Sequence, residues 1–305
     1  MNEQPALRAQ ALTKSYGKVR ALRGVDLVVE RGEIFGFLGP NGAGKTTTIR
    51  CLLDLIRPDG GQVRVLGLDP QAQPVAVRAR VGYLPGELSL ESNLKVEGQL
   101  RYCNDLRGNQ ADWGFVRELA RRLDLDLSLP IKNLSKGNKQ KVGVVQALMA
   151  RPDLLLLDEP TAGLDPLIQQ EVYRLLREAQ SAGATVFFSS HIIGEVEALA
   201  ERVAIIRQGI IVEEAEPQNL KRMALRRLHV RFKAPVDPAP LDRVEGVDLL
   251  SQSNGLHATL QVSGEVDGLI KALARFPVSD FEIERPSLEE IFLTYYQADQ
   301  EEEVH

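Results

Sequence analysis

A glycine-rich segment between a short apolar run and a helix-like run constrains the fold of this chain more than any other feature. Residues 39–46 match the phosphate-loop pattern Gly-x-x-x-x-Gly-Lys-Ser/Thr. The apolar run 33–38 predicts a buried strand, and residues 45–55 have apolar side chains at helical spacing. In this order, backbone N–H groups and the positive end of the helix can hold a phosphate group, so we expect nucleoside triphosphate binding. A chance glycine-rich turn is the alternative, and the flanking strand and helix argue against it. The predicted contacts are Gly39, Pro40, Asn41, Gly42, Ala43, Gly44, Lys45, Thr46 and Thr47.

A second element supplies acidic groups for the same chemistry. The apolar run 154–157 predicts a strand, and Asp158 and Glu159 follow at its carboxyl end, where ligands bind in open α/β sheets. We expect Lys45 to reach the β- and γ-phosphates and Thr46 and Asp158 to hold Mg2+. Glu159 is then the group that polarises a water against the γ-phosphate. An acid pair that only caps a strand end is the alternative.

Length and composition are those of an ordinary globular protein. The 305 residues suffice for one large domain and one small one, and the net charge of −5 is no argument for nucleic-acid binding. No apolar run approaches the roughly 20 residues of a membrane helix, and the first residues lack a signal-peptide pattern. Two cysteines make no disulfide framework. We therefore expect a cytosolic chain.

The order of strand and helix patterns predicts two domains. Apolar strands that alternate with helices predict an α/β core with a parallel sheet. We assign this domain to residues 5–220, with a helical part at about 88–150, and a basic, proline-containing linker to residues 221–240. A small α+β domain follows at 241–298, where the Asn-Gly pair at 254–255 predicts a hairpin.

Several further segments, in their order along the chain, carry a family resemblance. Residues 134–138, Leu-Ser-Lys-Gly-Asn, resemble the signature motif of ABC-type ATPases, usually Leu-Ser-Gly-Gly-Gln. Residues 162–165 resemble the family's D-loop, His191 matches its switch histidine, and Tyr16 sits where the family has an adenine-stacking aromatic. The resemblance covers about residues 5–215. It implies a P-loop NTPase core of the ABC type, with antiparallel β and helical subdomains, ahead of the small C-terminal domain.

The resemblance also implies roles for these residues. Ser135 and Gly137 would complete the ATP site of a second copy of the chain by clamping the γ-phosphate in trans, which requires a head-to-tail homodimer. Asp165 would help to position the partner's site, and His191 would sense the γ-phosphate. The alternatives are a plain helix N-cap for Ser135, an ordinary strand-end histidine for His191 and turn packing for Tyr16.

The chain departs from the family pattern at two places. After residues 82–85 the family has a glutamine that meets the Mg2+ shell, whereas this chain has Gly86, which has no side chain for that role. Glu87 comes next and is the candidate substitute as a metal ligand. The signature segment carries Lys136 and Asn138 in place of glycine and glutamine.

The C-terminal segment narrows the functional expectation. Residues 285–292 resemble the closing segment of ATPase subunits that serve export-type permeases for drugs, lipids or polysaccharides. An appendage that only stabilises or dimerises the chain is the alternative.

Together these observations predict an ATP-binding and ATP-hydrolysing subunit of an ABC transporter that uses ATP and Mg2+. It would dimerise on ATP and drive a separate membrane permease as an exporter, at the inner face of the cell membrane and without nucleic acid. A non-transport ABC-type ATPase acting on a ribosome or nucleic-acid machine is the alternative. Such relatives usually have two ATPase units, a coiled-coil insertion or zinc cysteines, and this chain has none of them. A kinase or a GTPase would leave residues 134–138 unexplained, and the GTPase motif Asn-Lys-x-Asp is absent.

Overall fold

Strands of nearly uninterrupted apolar sequence form the centre of the first of two units in this chain. The computed structural model describes residues 4–217, 226–262 and 266–284, and divides the chain into Met1–Ala215 and Glu216–His305. The strands described in the first unit are β1 (Leu7–Tyr16), β2 (Val19–Val29), β3 (Ile34–Leu38), β4 (Gly60–Val65), β5 (Val81–Leu84), β6 (Leu154–Asp158), β7 (Thr185–Ser190), β8 (Arg202–Arg207) and β9 (Ile210–Ala215).

Two sheets of different character share these strands. The central sheet has the order β5-β6-β7-β3-β8-β9, in which all neighbouring pairs are parallel except β8 and β9. Within it Phe35 and Phe187 are register partners whose rings stack 5.9 Å apart. The second sheet, β2-β1-β4, is antiparallel. The expected parallel core with an antiparallel β subdomain is therefore confirmed.

Helices connect the strands and cover the central sheet. In the helical part, α3 and α4 pack against α5, and α4 turns its buried residues Val116, Leu119 and Ala120 inward. The helices described in this unit are α1 (Lys45–Leu52), α2 (Pro74–Ala79), α3 (Val96–Leu106), α4 (Trp113–Arg122), α5 (Lys136–Leu148), α6 (Pro166–Ser181) and α7 (Ile193–Leu199). Among the described residues, no helix combines the length and apolar composition needed to cross a membrane.

The second unit is a small α+β structure. Its sheet has the order β11-β12-β10-β13 and is antiparallel throughout. Asn254 and Gly255 have φ values of 53° and 67°, the backbone of a tight hairpin turn, as the Asn-Gly pair predicts. The described elements are β10 (Arg226–Phe232), β11 (Val247–Ser253), β12 (His257–Val262), α8 (Asp267–Leu273) and β13 (Val278–Glu284).

The structure differs from the predicted linker at 221–240. Strand β10 lies inside that range and pairs with both β12 and β13. Its apolar residues Leu228, Val230 and Phe232 are buried. The basic residues that suggested a linker are interleaved with this apolar row, so the segment has the alternation of a strand with one buried face. The family-like segment 285–292 lies outside the described residues.

Candidate functional site

The first turn of α1 begins without any side chain to cap it. Gly44 is the N-cap residue, has φ 113°, and makes no side-chain cap hydrogen bond. A Cβ at this position would lie 2.7 Å from the carbonyl oxygen of Ala21, so only glycine fits. The N–H groups of a first helical turn have no partner within the helix, and here no cap replaces one. These groups therefore suit an anion. The cleft beside them, of about 150 Å3, is lined by Ala21, Asn41, Gly42, Gly44, Lys45, Thr46, Thr47 and Glu159.

A buried lysine supplies the positive charge of this cleft. Lys45 is 5% exposed, and its Nζ donates hydrogen bonds to the carbonyl oxygens of Gly39 at 2.7 Å and Pro40 at 3.1 Å. Its Nζ lies 3.8 Å from Glu159 Oε1. Burial lowers the pKa of Lys45, and the charges of Glu159 and Asp158 act against that shift. A bound phosphate would add a negative charge beside this ammonium group, which favours its charged form.

Oxygen donors from three elements meet beside the lysine. Thr46 Oγ1 donates a hydrogen bond to Asp158 Oδ2 at 2.7 Å, and Ser189 Oγ donates one to Asp158 Oδ1 at 2.5 Å. Asp158 is 1% exposed. A hydroxyl and a carboxylate are the hard oxygen ligands that Mg2+ prefers, so Thr46 and Asp158 fit the cation that the sequence predicts here.

Glu159 is held in an unusual backbone conformation. Its φ is 52°, in the left-handed region that disfavours side chains with a Cβ. Its N–H donates to the carbonyl oxygen of Ser189 at 3.2 Å, and its own carbonyl accepts from Gln140 Nε2 at 2.9 Å. Its carboxylate Oε1 lies 2.9 Å from His191 Nδ1. Such backbone strain persists where neighbouring groups hold the residue in place, as the hydrogen bonds to the Glu159 N–H and carbonyl do here. In this conformation the carboxylate lies near Lys45 and His191.

The signature segment lies apart from this cleft. Ser135 is the exposed N-cap of α5, and its Oγ accepts a hydrogen bond from Asn138 N at 3.2 Å. Gly137 lies against the segment before α6, where an added Cβ would be 2.7 Å from the carbonyl oxygen of Gly163. The Asp165 carboxylate accepts hydrogen bonds from two N–H groups at the start of α6. Within one chain these residues cap and join helix starts, and they do not line the cleft.

Tyr16 lies at the turn between β1 and β2. Its ring is 48% exposed, and Lys14 Nζ is 5.8 Å from the ring centroid. The same hairpin brings Ala21 to the cleft, whereas Tyr16 is not among the lining residues. An exposed ring has a face free for stacking, which is the property that the predicted role requires.

Gly86 lies beside the carboxylate of the predicted metal ligand. A Cβ at this position would be 2.9 Å from Asp158 Oδ2, so the loop leaves no room here for a side chain. Glu87 is exposed and, in the described part of the chain, makes no hydrogen bond or ion pair with Thr46 or Asp158. Glu87 is also not among the residues that line the cleft, so the structure gives no contact that supports it as a metal ligand.

Sequence reasoning missed three side chains at this site. Ser189 and Gln140 hold Asp158 and the Glu159 backbone, and Glu195 hydrogen-bonds the hydroxyls of Thr161 and Ser190. The only signal for the serine was its place at the end of a predicted strand. Gln140 and Glu195 had no such signal, because both side chains face inward from a helix and contact residues in other segments of the chain.

Known proteins resemble this chain over most of its length. A family model described as ABC transporter matches residues 22–162. The daunorubicin/doxorubicin resistance ATP-binding protein DrrA of Streptomyces peucetius is 33% identical over 311 residues, which span 96% of this chain and 93% of that protein. Among solved structures, an ATP-binding subunit of an ABC transporter is 30% identical, with a TM-score of 0.66 over 71% of this chain and 92% of that one. A dimeric ATP-binding cassette in a post-hydrolysis state, bound to ADP and Pi, shares the fold at 24% identity, with a TM-score of 0.62 over 69% of this chain and 98% of that one.

The uncapped helix start beside a buried lysine, the carboxylate with its hydroxyl partner and the strained glutamate beside a histidine thus occur in a chain that aligns with DrrA over 96% of its length. This chain belongs to the family of ABC transporter ATP-binding proteins.

Proposed function

We propose that this chain binds and hydrolyses ATP, dimerises when ATP is bound, and drives a separate membrane permease as part of an exporter. The observation that carries the ATPase part is the uncapped start of α1, with Lys45 buried beside it and the Thr46–Asp158 pair 2.7 Å apart. An anion site next to a hard-cation site is what a nucleotide with its metal requires.

Each side chain has a distinct task in this proposal. The loop N–H groups and Lys45 bind the β- and γ-phosphates, and Thr46 and Asp158 hold Mg2+, which neutralises phosphate charge when bound. Glu159 orients the attacking water and accepts its proton at the carboxylate. His191, 2.9 Å from that carboxylate, keeps it turned toward the γ-phosphate.

The dimer is proposed because the signature segment lies away from the cleft of its own chain. Ser135 and Gly137 stand at the start of α5, away from the cleft of their own chain. A second copy that presents its α5 start to this cleft would contact the γ-phosphate from the opposite side. A solved cassette bound to ADP and Pi is described as a dimer, which supports the dimerisation in this proposal.

The export part rests on relatives. DrrA is described as a drug-resistance protein and matches both units of this chain, since the alignment spans 96% of it. Residues 285–292 resemble the closing segment of export-type subunits, as the sequence indicates. The chain would supply the ATPase, and an integral membrane partner would supply the path for the substrate.

The test is a Glu159→Gln variant of the full chain. An amide cannot accept the proton of the attacking water, so we expect turnover to fall by about 100-fold or more while ATP still binds. With saturating ATP and Mg2+, light scattering after size exclusion should show a dimer. Wild-type protein with ADP is the control and should be monomeric.

A monomeric Glu159→Gln variant in saturating ATP would contradict the dimer. Undiminished turnover in that variant would contradict the assignment of Glu159. The transport part is tested by purifying the tagged chain from detergent-solubilised membranes, and absence of any integral membrane protein at stoichiometric level would argue against it.

A further inference from the structure

A buried glutamate behind the candidate site has no task in the mechanism above. Glu195 lies in α7 and is 6% exposed. Its Oε2 accepts a hydrogen bond from Ser190 Oγ at 2.5 Å, and its Oε1 accepts one from Thr161 Oγ1. The side chain does not line the cleft. The Glu195 side chain therefore reaches the site through these two hydroxyl groups.

The two hydroxyls belong to the segments that carry the catalytic pair. Thr161 is two residues after Glu159, and Ser190 directly precedes His191. Glu159 Oε1 and His191 Nδ1 are 2.9 Å apart, so the contacts close a ring. The chain itself connects Glu159 to Thr161 and Ser190 to His191. Hydrogen bonds connect Thr161 to Glu195 and Glu195 to Ser190, and the contact between His191 and Glu159 closes the ring.

The chemistry of this ring favours a carboxylate at its centre. An ionised carboxylate only accepts hydrogen bonds and offers two oxygens, so it can hold two hydroxyl donors at once. Hydrogen bonds to a charged acceptor are shorter and stronger than neutral ones. Thr161 and Ser190 are 2% and 1% exposed, so water does not compete for these groups.

The ring also reaches the phosphate loop through the backbone. The carbonyl oxygen of Ser190 accepts a hydrogen bond from Gly39 N at 3.2 Å, and Ser190 Oγ accepts one from Ile192 N at 2.9 Å. The bond to Gly39 uses the Ser190 carbonyl and not its hydroxyl, so a change at the hydroxyl acts first on the neighbouring His191. Glu195 joins this segment to Thr161, in addition to the direct contacts of Glu159 with Ser189 and His191.

We infer that Glu195 is a positioning residue for ATP hydrolysis, which holds the Glu159 and His191 segments in one fixed relation through Thr161 and Ser190. This inference rests on the proposed ATPase function. It differs from a purely structural role because it predicts a loss in the chemical step with nucleotide binding largely kept. Lys45 and Thr46 hold the nucleotide from α1, which is outside the ring.

The first experiment compares Glu195→Ala and Glu195→Gln in the full chain. A displacement of about 1 Å at a reacting group can cost up to 100-fold, so Glu195→Ala should lower kcat on the order of 10- to 100-fold. KM for ATP and the affinity for a fluorescent ATP analogue should change by less than about threefold. Glu195→Gln keeps one acceptor oxygen and should recover part of the lost kcat.

Val196→Ala is the matched control. Val196 is the next residue of the same helix, is fully buried, and lies beside Gly36 of β3. Its truncation should lower the thermal stability by opening a cavity and leave kcat within about twofold of wild type. Equal loss of kcat in Val196→Ala and Glu195→Ala would mean that only packing of α7 matters.

A second set of variants keeps the test decisive if Glu195→Ala does not fold. Thr161→Val and Ser190→Ala each remove one hydroxyl with little change in shape. If the ring acts as a unit, each should lower kcat, and the double variant should lose much less than the product of the two effects. Folded variants with wild-type kcat, or effects that multiply independently, would overturn the inference. If wild-type protein neither binds nor hydrolyses ATP, the proposed function fails instead.

Discussion

Two helices of this chain begin beside glycine-containing loops, but the first N–H groups of one have no side-chain cap, whereas the other helix start is capped by a side chain. At α1 the cap position is Gly44, and no side chain caps the helix. At α5 the cap is Ser135, whose Oγ accepts a hydrogen bond from Asn138 N at 3.2 Å. Both helix starts carry the positive end of a helix dipole. Only the first has a buried lysine and carboxylates around it.

The difference indicates which half of a nucleotide site one chain can build alone. The N–H groups at the start of α1 have no side-chain cap, and Lys45, Thr46 and Asp158 lie beside them. Residues of one chain can therefore bind both a phosphate and a metal at this helix start. The start of α5 is exposed and already capped by its own hydroxyl. It would contact a nucleotide only when a second copy brings a phosphate to it, and the Ser135 hydroxyl can then donate to that phosphate while it accepts from Asn138 N.

The largest expected effect comes from removing the charge at the α1 start. Lys45→Ala deletes the cation that would contact the β- and γ-phosphates, and we expect turnover to fall by about 1,000-fold or more. Steady-state phosphate release and binding of a fluorescent ATP analogue measure the two losses. Lys18→Ala, an exposed lysine in the β1–β2 turn, is the control and should behave as wild type. Wild-type turnover in Lys45→Ala would refute the assignment of the α1 start as the phosphate site.

A smaller effect is expected at the α5 start. Glycine is nearly as good an N-cap as serine, so Ser135→Gly should cost only a few tenths of a kcal/mol in unfolding free energy. Loss of one hydrogen bond to a charged phosphate should still lower turnover by about 10- to 100-fold. Thermal unfolding and steady-state turnover, measured side by side, separate these two quantities. Parallel, small changes in both would reduce Ser135 to a cap and remove the contrast between the helices.

The smallest effects test two neighbours beside the metal position. An alanine Cβ at position 86 would press on Asp158 Oδ2 at 2.9 Å, so Gly86→Ala should raise the Mg2+ concentration for half-maximal turnover by about tenfold. Glu87→Ala should leave that concentration within about twofold, since Glu87 is exposed and makes no bond to Thr46 or Asp158 in the described chain. The Mg2+ titration is the measurement for both. The reverse order of effects would restore Glu87 as a metal ligand.

Local sequence was sufficient to predict the parts of the site that depend on neighbours along the chain. The strand before the loop, the loop and the start of α1 follow from consecutive residues. The strand that ends at Asp158 was also predicted, because four consecutive leucines are typical of a strand in a sheet that is covered on both faces. The alternative reading of Ser135 as an N-cap describes its contacts within one chain.

Other contacts could not be predicted, because they join residues far apart in sequence. Ser189 is 31 residues from Asp158 and Gln140 is 19 residues from Glu159, and neither pair has a spacing rule. The linker prediction failed for a different reason. The charged residues of β10 suggested an exposed linker. The alternating Leu228, Val230 and Phe232 become a buried row only when β12 and β13 pair on either side.

The sequence by itself determined the phosphate loop, the order of the motifs and the alternation of strands and helices, because each depends on backbone preference and side-chain period over a few neighbouring residues. Only the tertiary structure decided how the acidic residues are held. The parallel sheet places the ends of β3, β6 and β7 side by side, and this brings Thr46, Asp158 and Ser189 within hydrogen-bonding distance. The ring through Glu195 also depends on the tertiary structure, because the hydroxyl groups that donate to this buried carboxylate belong to two other segments of the chain.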